Sequence, residues 1–107
     1  MTEYHVLIGP LYAAEYEQIE QYLVAMNTTS ASVAKIFKRI DADADRLATS
    51  PFIGPRLEKR TRIPNDYRYI VSGLYIQFYT VDEAARIVKL LQIVDGRSDY
   101  IARLGLA

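Results

Sequence analysis

The side chains best suited to chemistry lie in the second half of the chain. RLEKRTRIPNDYRY (56–69) sets Lys59, Arg60, Arg62 and Arg68 among Tyr67 and Tyr69, and Tyr75, Tyr79, Arg97 and Tyr100 follow. Guanidinium and ammonium groups neutralise phosphates, and tyrosine rings stack on unpaired bases, so this mixture suits RNA or an acidic peptide. Tyrosine packing in strands and a solvated basic loop account for the same residues without any ligand. A second concentration ends the last apolar run, where Leu90–Val94 gives way to Asp95, Gly96, Arg97, Ser98, Asp99 and Tyr100. A turn alone needs only the glycine and one aspartate.

Other motifs reduce to structure. DADAD (41–45) begins like a calcium loop, but Arg46 stands where that loop needs glycine and Phe52 where it needs glutamate. The stretch also falls inside a helical stripe, so it reads as a solvated helix face and no metal site is expected. His5 is the single histidine, on a strand far in sequence from any acid–base partner, which argues against histidine-based catalysis. The five glycines are isolated, so no phosphate-cradling loop is written and no cofactor is expected. There are no cysteines, hence no disulfide framework, thiolate metal site or cysteine nucleophile.

These side chains must be held by a small scaffold. The 107 residues are half hydrophobic and a quarter charged, which fits one globular domain over 1–107. MTEYHVLIG lacks a basic leader, and no apolar run approaches the ~20 residues of a membrane span, so a soluble, cytoplasmic protein is expected. Formal charge is zero, yet residues 1–50 carry four basic against seven acidic side chains and residues 51–107 nine against six. A polyanion or acidic-peptide surface therefore belongs to the second half.

Hydrophobic period gives the elements. EYHVLI alternates before Gly9-Pro10 stops it, predicting a short first strand. Tyr12, Tyr16, Ile19, Leu23 and Met26 follow 4-3-4-3 spacing, predicting a helix over about 11–27, with Glu15, Glu17, Glu20 and Gln21 mostly on its other faces. After the capping residues of NTTSAS, a second stripe (Val33, Phe37, Ile40, Ala44, Leu47) predicts a helix over about 31–49, and the two should pack as an antiparallel hairpin. SPFIGP breaks the helix, and YRYIVS, YIQFYTV and RIVKLLQIV have the period of strands in an antiparallel meander. LEKRTRI is a candidate sheet extension and SDYIARL a short terminal helix. The fold class is α+β: an N-terminal strand, a helical hairpin packed on a twisted antiparallel sheet, and a short C-terminal helix or tail.

Residues 66–104 resemble the C-terminal half of the RelE/ParE superfamily of bacterial type II toxins. The matching features are Tyr-Arg opening a strand, Tyr75 and Phe78-Tyr79 in the next, the acidic turn Asp82-Glu83, and an apolar strand ending in Gly-Arg-x-Asp-Tyr. SPFIGP fits the family's Pro-x-x-Gly link. The resemblance implies a toxin with no cofactor, held as a hetero-oligomer by a cognate antitoxin whose C-terminal segment wraps it. It also implies a groove on the sheet face away from the hairpin, with Arg97 and Tyr100 on its rim facing Arg68 and Tyr75. One branch of the superfamily cleaves messenger RNA in the ribosomal A site; there Arg68 and Arg97 would be the cations and Tyr100 a proton donor. The other branch poisons DNA gyrase. Tyr75 and Asp95 replace the basic residue and the proton carrier that cleaving members favour, and the long hairpin looks more like the gyrase-poisoning branch. That branch is the expectation, with ribosome-dependent cleavage as the alternative and a non-toxic antitoxin-binding relative as a third reading. Lys59, Arg60, Arg62, Tyr67, Tyr69, Tyr75, Tyr79 and Asp95 are then candidates for antitoxin or target binding.

Overall fold

The computed structural model describes residues 3–61 and 63–106. Strand β1 (His5–Ile8) leads through Gly9 into helix α1 (Pro10–Ala25), where proline sits at the first turn and its missing N–H costs nothing. The helix ends with Asn27 at φ 59°, the Thr28 N–H reaching the Leu23 carbonyl and the Asn27 N–H that of Val24. These paired bonds stop a helix and reverse the chain. Thr29 then caps α2 (Ser30–Asp45), its side chain accepting from the Ser32 N–H at 3.2 Å.

Three strands follow: β2 (Arg68–Ser72), β3 (Tyr75–Asp82) and β4 (Ile87–Asp95). The sheet order is β1-β4-β3-β2, with β2–β3 and β3–β4 antiparallel. The three later strands thus form the expected antiparallel meander, and β1, whose partner the sequence left open, pairs parallel to β4 at its edge. The hairpin fills the gap between first and second strands, as a parallel crossover requires. Both helices finish slightly earlier than predicted, α2 tightening into a 3-10 turn at Arg46–Ala48.

One sheet face carries the hairpin. Tyr12, Phe37, Ile40 and Leu47 bury themselves against Tyr79, Val88, Leu90 and Ile93. Both predicted stripes supply this core, although Met26 remains 62% exposed. The opposite face carries a second cluster, where Leu57 and Leu106 cover Ile76, Phe78 and Val94. Leu57 belongs to a 3-10 turn (Leu57–Arg60), so this part of the candidate sheet extension is not strand, and just before it Arg56 forms an isolated bridge to Arg68. The predicted terminal helix forms as α3 (Tyr100–Arg103), and Gly105, at φ 74°, lets the chain turn Leu106 down onto the sheet.

Glu15 departs from the sequence reading most clearly. It was expected mostly among the outward residues but is 6% exposed. β4 runs past the end of β1, leaving the Ile93 N–H without a strand partner, and the Glu15 carboxylate accepts it at 3.1 Å. Arg103 of α3 donates to the other carboxylate oxygen at 3.2 Å, tying the helices of the two faces together over the β4 edge.

Candidate functional site

Register decides which candidate side chains can meet. Tyr75 lies opposite Asp95 on β3–β4, at the end of the sheet where β4 runs into its polar turn. Asp95 accepts the Arg97 backbone N–H at 2.8 Å, Nε at 3.0 Å and a terminal guanidinium nitrogen at 2.7 Å. The guanidinium beside it holds the Asp95 carboxyl below the usual carboxylate range, ahead of the opposing effect of burial. Burial, helped by the Asp95 charge, pushes the Tyr75 phenol up, so it stays protonated through neutral pH. Tyr22 of α1 borders the same 250 Å³ hollow as Tyr75, Asp95 and Arg103. Its signal in the sequence was an aromatic residue off the helix stripe.

The remaining polar residues of this turn have local duties. The Ser98 hydroxyl donates to the Asp95 carbonyl at 2.6 Å, and Asp99 caps α3 through the Ala102 N–H. Tyr100 packs against Phe78, ring centroids 5.5 Å apart, on the face away from the hairpin. The residues from Asp95 to Tyr100 thus close the strand, bind the turn or start and seat the helix, and of the six Arg97 and Asp99 are exposed.

Arg68 stands elsewhere. It pairs with Tyr79, four residues along β3 from Tyr75 and therefore ~13 Å away at the usual strand rise. Its guanidinium donates to the Gly54 carbonyl at 2.8 Å and covers the Phe52 ring at 4.9 Å. From the same side the Tyr79 hydroxyl accepts the Gly54 N–H at 2.9 Å. Arg68 and Tyr79 therefore hold both backbone groups of Gly54, at the end of the Pro-Phe-Ile-Gly link. Gly54 is required there, since a Cβ would overlap the Tyr69 carbonyl and stand 2.6 Å from the Tyr79 hydroxyl.

The expected groove and its rim are corrected by these positions. Tyr75, Tyr79 and Arg68 share the hairpin side of the sheet, whereas Tyr100 is on the other. The opposite face is partly filled: Tyr69, Phe78 and Tyr100 stand in contact there, and Arg60 reaches over the Tyr69 ring at 5.8 Å. Tyr67 packs against this cluster and Lys59 is exposed nearby on the 3-10 turn. The structure thus groups Tyr75, Asp95 and Arg97, and separately Arg60, Tyr69 and Tyr100. Arg62 lies outside the described residues.

Residues 6–100 match the family described as ParE toxin of type II toxin-antitoxin system, parDE. The chain belongs to that family. Its fold is similar to that in the crystal structure of the toxin–antitoxin complex RelBE2 from Mycobacterium tuberculosis, at 16% identity and a TM-score of 0.59, covering 88% of this chain and 99% of the other. No curated relative matches the sequence. The helical hairpin, sheet and terminal helix of this ParE-family chain make up the fold it shares with that structure. Among the described residues no helix is long and apolar enough to cross a membrane.

Proposed function

We propose that this type II toxin arrests growth by binding a target protein, DNA gyrase, in the manner its ParE family name suggests, and that a cognate antitoxin neutralises it. The observation that carries this reading is the separation of Arg68, Arg97 and Tyr100. Cleaving RNA needs a base, a cation at the phosphate and an acid around one atom. Here Arg68 is committed to the Gly54 carbonyl, Tyr100 is packed against Phe78 on the opposite face, and Arg97 is held by Asp95. Tyr22 and Arg97, exposed beside the buried ring of Tyr75, supply instead the residue types favoured at protein interfaces.

The antitoxin covers the exposed basic turn with an acidic and apolar segment, meeting Lys59, Arg60 and Tyr69. The purified protein should leave messages intact on ribosomes programmed with defined codons, and Arg97→Ala should change nothing there. Cuts in the A site that disappear in Arg97→Ala would overturn the reading in favour of ribosome-dependent cleavage.

A further inference from the structure

Arg97 stands in water on the turn after β4, its side chain 70% exposed, and yet its guanidinium is fixed in one plane. Asp95 does this with both carboxylate oxygens. Oδ1 accepts the Arg97 backbone N–H at 2.8 Å and Nε at 3.0 Å, while Oδ2 accepts Nη2 at 2.7 Å. The carboxylate itself rests on a rigid base. Asp95 pairs with Tyr75 across the strands, its carbonyl accepts the Ser98 N–H and hydroxyl, and the Gly96 N–H donates to the Leu74 carbonyl at 2.8 Å. Closing such a turn needs only the backbone bond to Oδ1. Among the described residues Oδ2 serves the guanidinium alone, and an exposed ion pair of this kind adds little to stability.

We propose that Asp95 is a positioning residue, which holds Arg97 ready for a carboxylate of the target protein; this deepens the gyrase reading above and rests on it. A guanidinium carries its N–H donors in a planar fork, and Asp95 takes the side of Nε and Nη2. The outer edge of the fork, between Nη1 and Nη2, points away from Asp95, and that edge makes two parallel bonds with a planar carboxylate. An arginine free to move gives up its rotamers on binding, whereas a braced one has already done so, and the difference appears as affinity. The hollow beside it, with Ile19, Tyr22 and Tyr75 in its wall, gives the stem of an aspartate or glutamate apolar contact. Were Asp95 instead a mask over the charge of Arg97, its removal would strengthen binding.

Asp95→Asn separates the two roles. Its amide oxygen can still accept the Arg97 N–H and close the turn, but an NH2 group now meets Nη2, donor against donor. The variant also makes the site one charge more positive, which by electrostatics alone favours an acidic target. Wild type, Asp95→Asn, Arg97→Ala and the double variant are titrated, free of antitoxin, into supercoiling by purified gyrase, with circular dichroism verifying each fold. Asp95→Asn should raise the half-inhibitory concentration roughly three- to tenfold despite the added charge. It should change nothing further once residue 97 is alanine, whereas a merely structural role would act equally in both backgrounds. Arg97→Lys keeps the charge without the fork and should inhibit much more like Arg97→Ala than like wild type. Should Asp95→Asn not fold, Asp95→Ser, whose hydroxyl also closes such turns, takes its place. Inhibition by the Asp95 variant as strong as that of wild type or stronger would overturn the inference, as would an equal loss in both backgrounds or full inhibition by Arg97→Lys. Wild-type toxin that leaves supercoiling untouched would instead contradict gyrase as the target, and this inference with it.

Discussion

The two hairpin helices have the same length, 16 residues each, and use their surfaces differently. α2 is conventionally amphipathic: Phe37, Ile40 and Ala44 are buried, a threonine caps it, and its charged residues face out except Asp43, which accepts the Ser72 hydroxyl at 2.7 Å. α1 buries Tyr12 and the charged Glu15, lacks a side-chain cap, and leaves Leu11, Tyr22 and Val24 more than half exposed. A helix apolar on several sides is built to be covered on several sides. α2 is therefore committed to the fold, while α1 serves the fold with one face and keeps apolar side chains in water on others.

The strongest way to break this contrast is to truncate matched aliphatic residues. Ile40→Ala in α2, at a site 1% exposed, should cost about 2–5 kcal/mol of unfolding free energy in urea denaturation. Val24→Ala in α1, at a site 63% exposed, should stay within about 0.5 kcal/mol of wild type. Similar losses of stability at both sites would remove the distinction.

A smaller effect concerns the one acidic residue of α1 that serves the fold. Burial raises the Glu15 pKa above its ordinary 4.5, outweighing the Ile93 N–H and Arg103 that lower it. The folded state thus binds the proton more readily than the unfolded state. This contribution to stability is full below the unfolded value and is lost as pH rises through the folded one. In thermal melts, the stability of wild type relative to Glu15→Gln should therefore fall as pH climbs from the ordinary glutamate value upward. A difference that grows with pH would mean that Arg103 stabilises the carboxylate more than burial penalises it.

The same contrast marks what could be read in advance. The α2 stripe was legible because every apolar residue in it has one job, and the three later strands because their ends are punctuated by Ser-Gly, by an acidic turn and by Asp-Gly. The parallel pairing of β1 was not, since alternation over four residues carries no strand direction. Glu15 hid because its partner, Ile93, lies 78 residues away and its helix position looks polar. Arg68 and Tyr100 were expected to face one groove, but both sheet faces are covered, so alternation alone could not say which face each side chain takes. IARLGLA is too short for a period to reveal that Leu106 seals the second cluster. Asp95 meets Tyr75 through the β3–β4 register, which the sequence does not print, and Tyr22 joins them only through the packing of α1 on the sheet.

The most direct test of action by binding is DNA supercoiling by purified gyrase in the presence of this protein. Supercoiling should be inhibited as the toxin is titrated in, with cleaved gyrase–DNA complexes accumulating, and added antitoxin should restore activity. Arg97→Ala and Tyr22→Ala should each weaken the inhibition without unfolding the protein. Undiminished supercoiling at a large molar excess of folded, antitoxin-free toxin would contradict gyrase as its target.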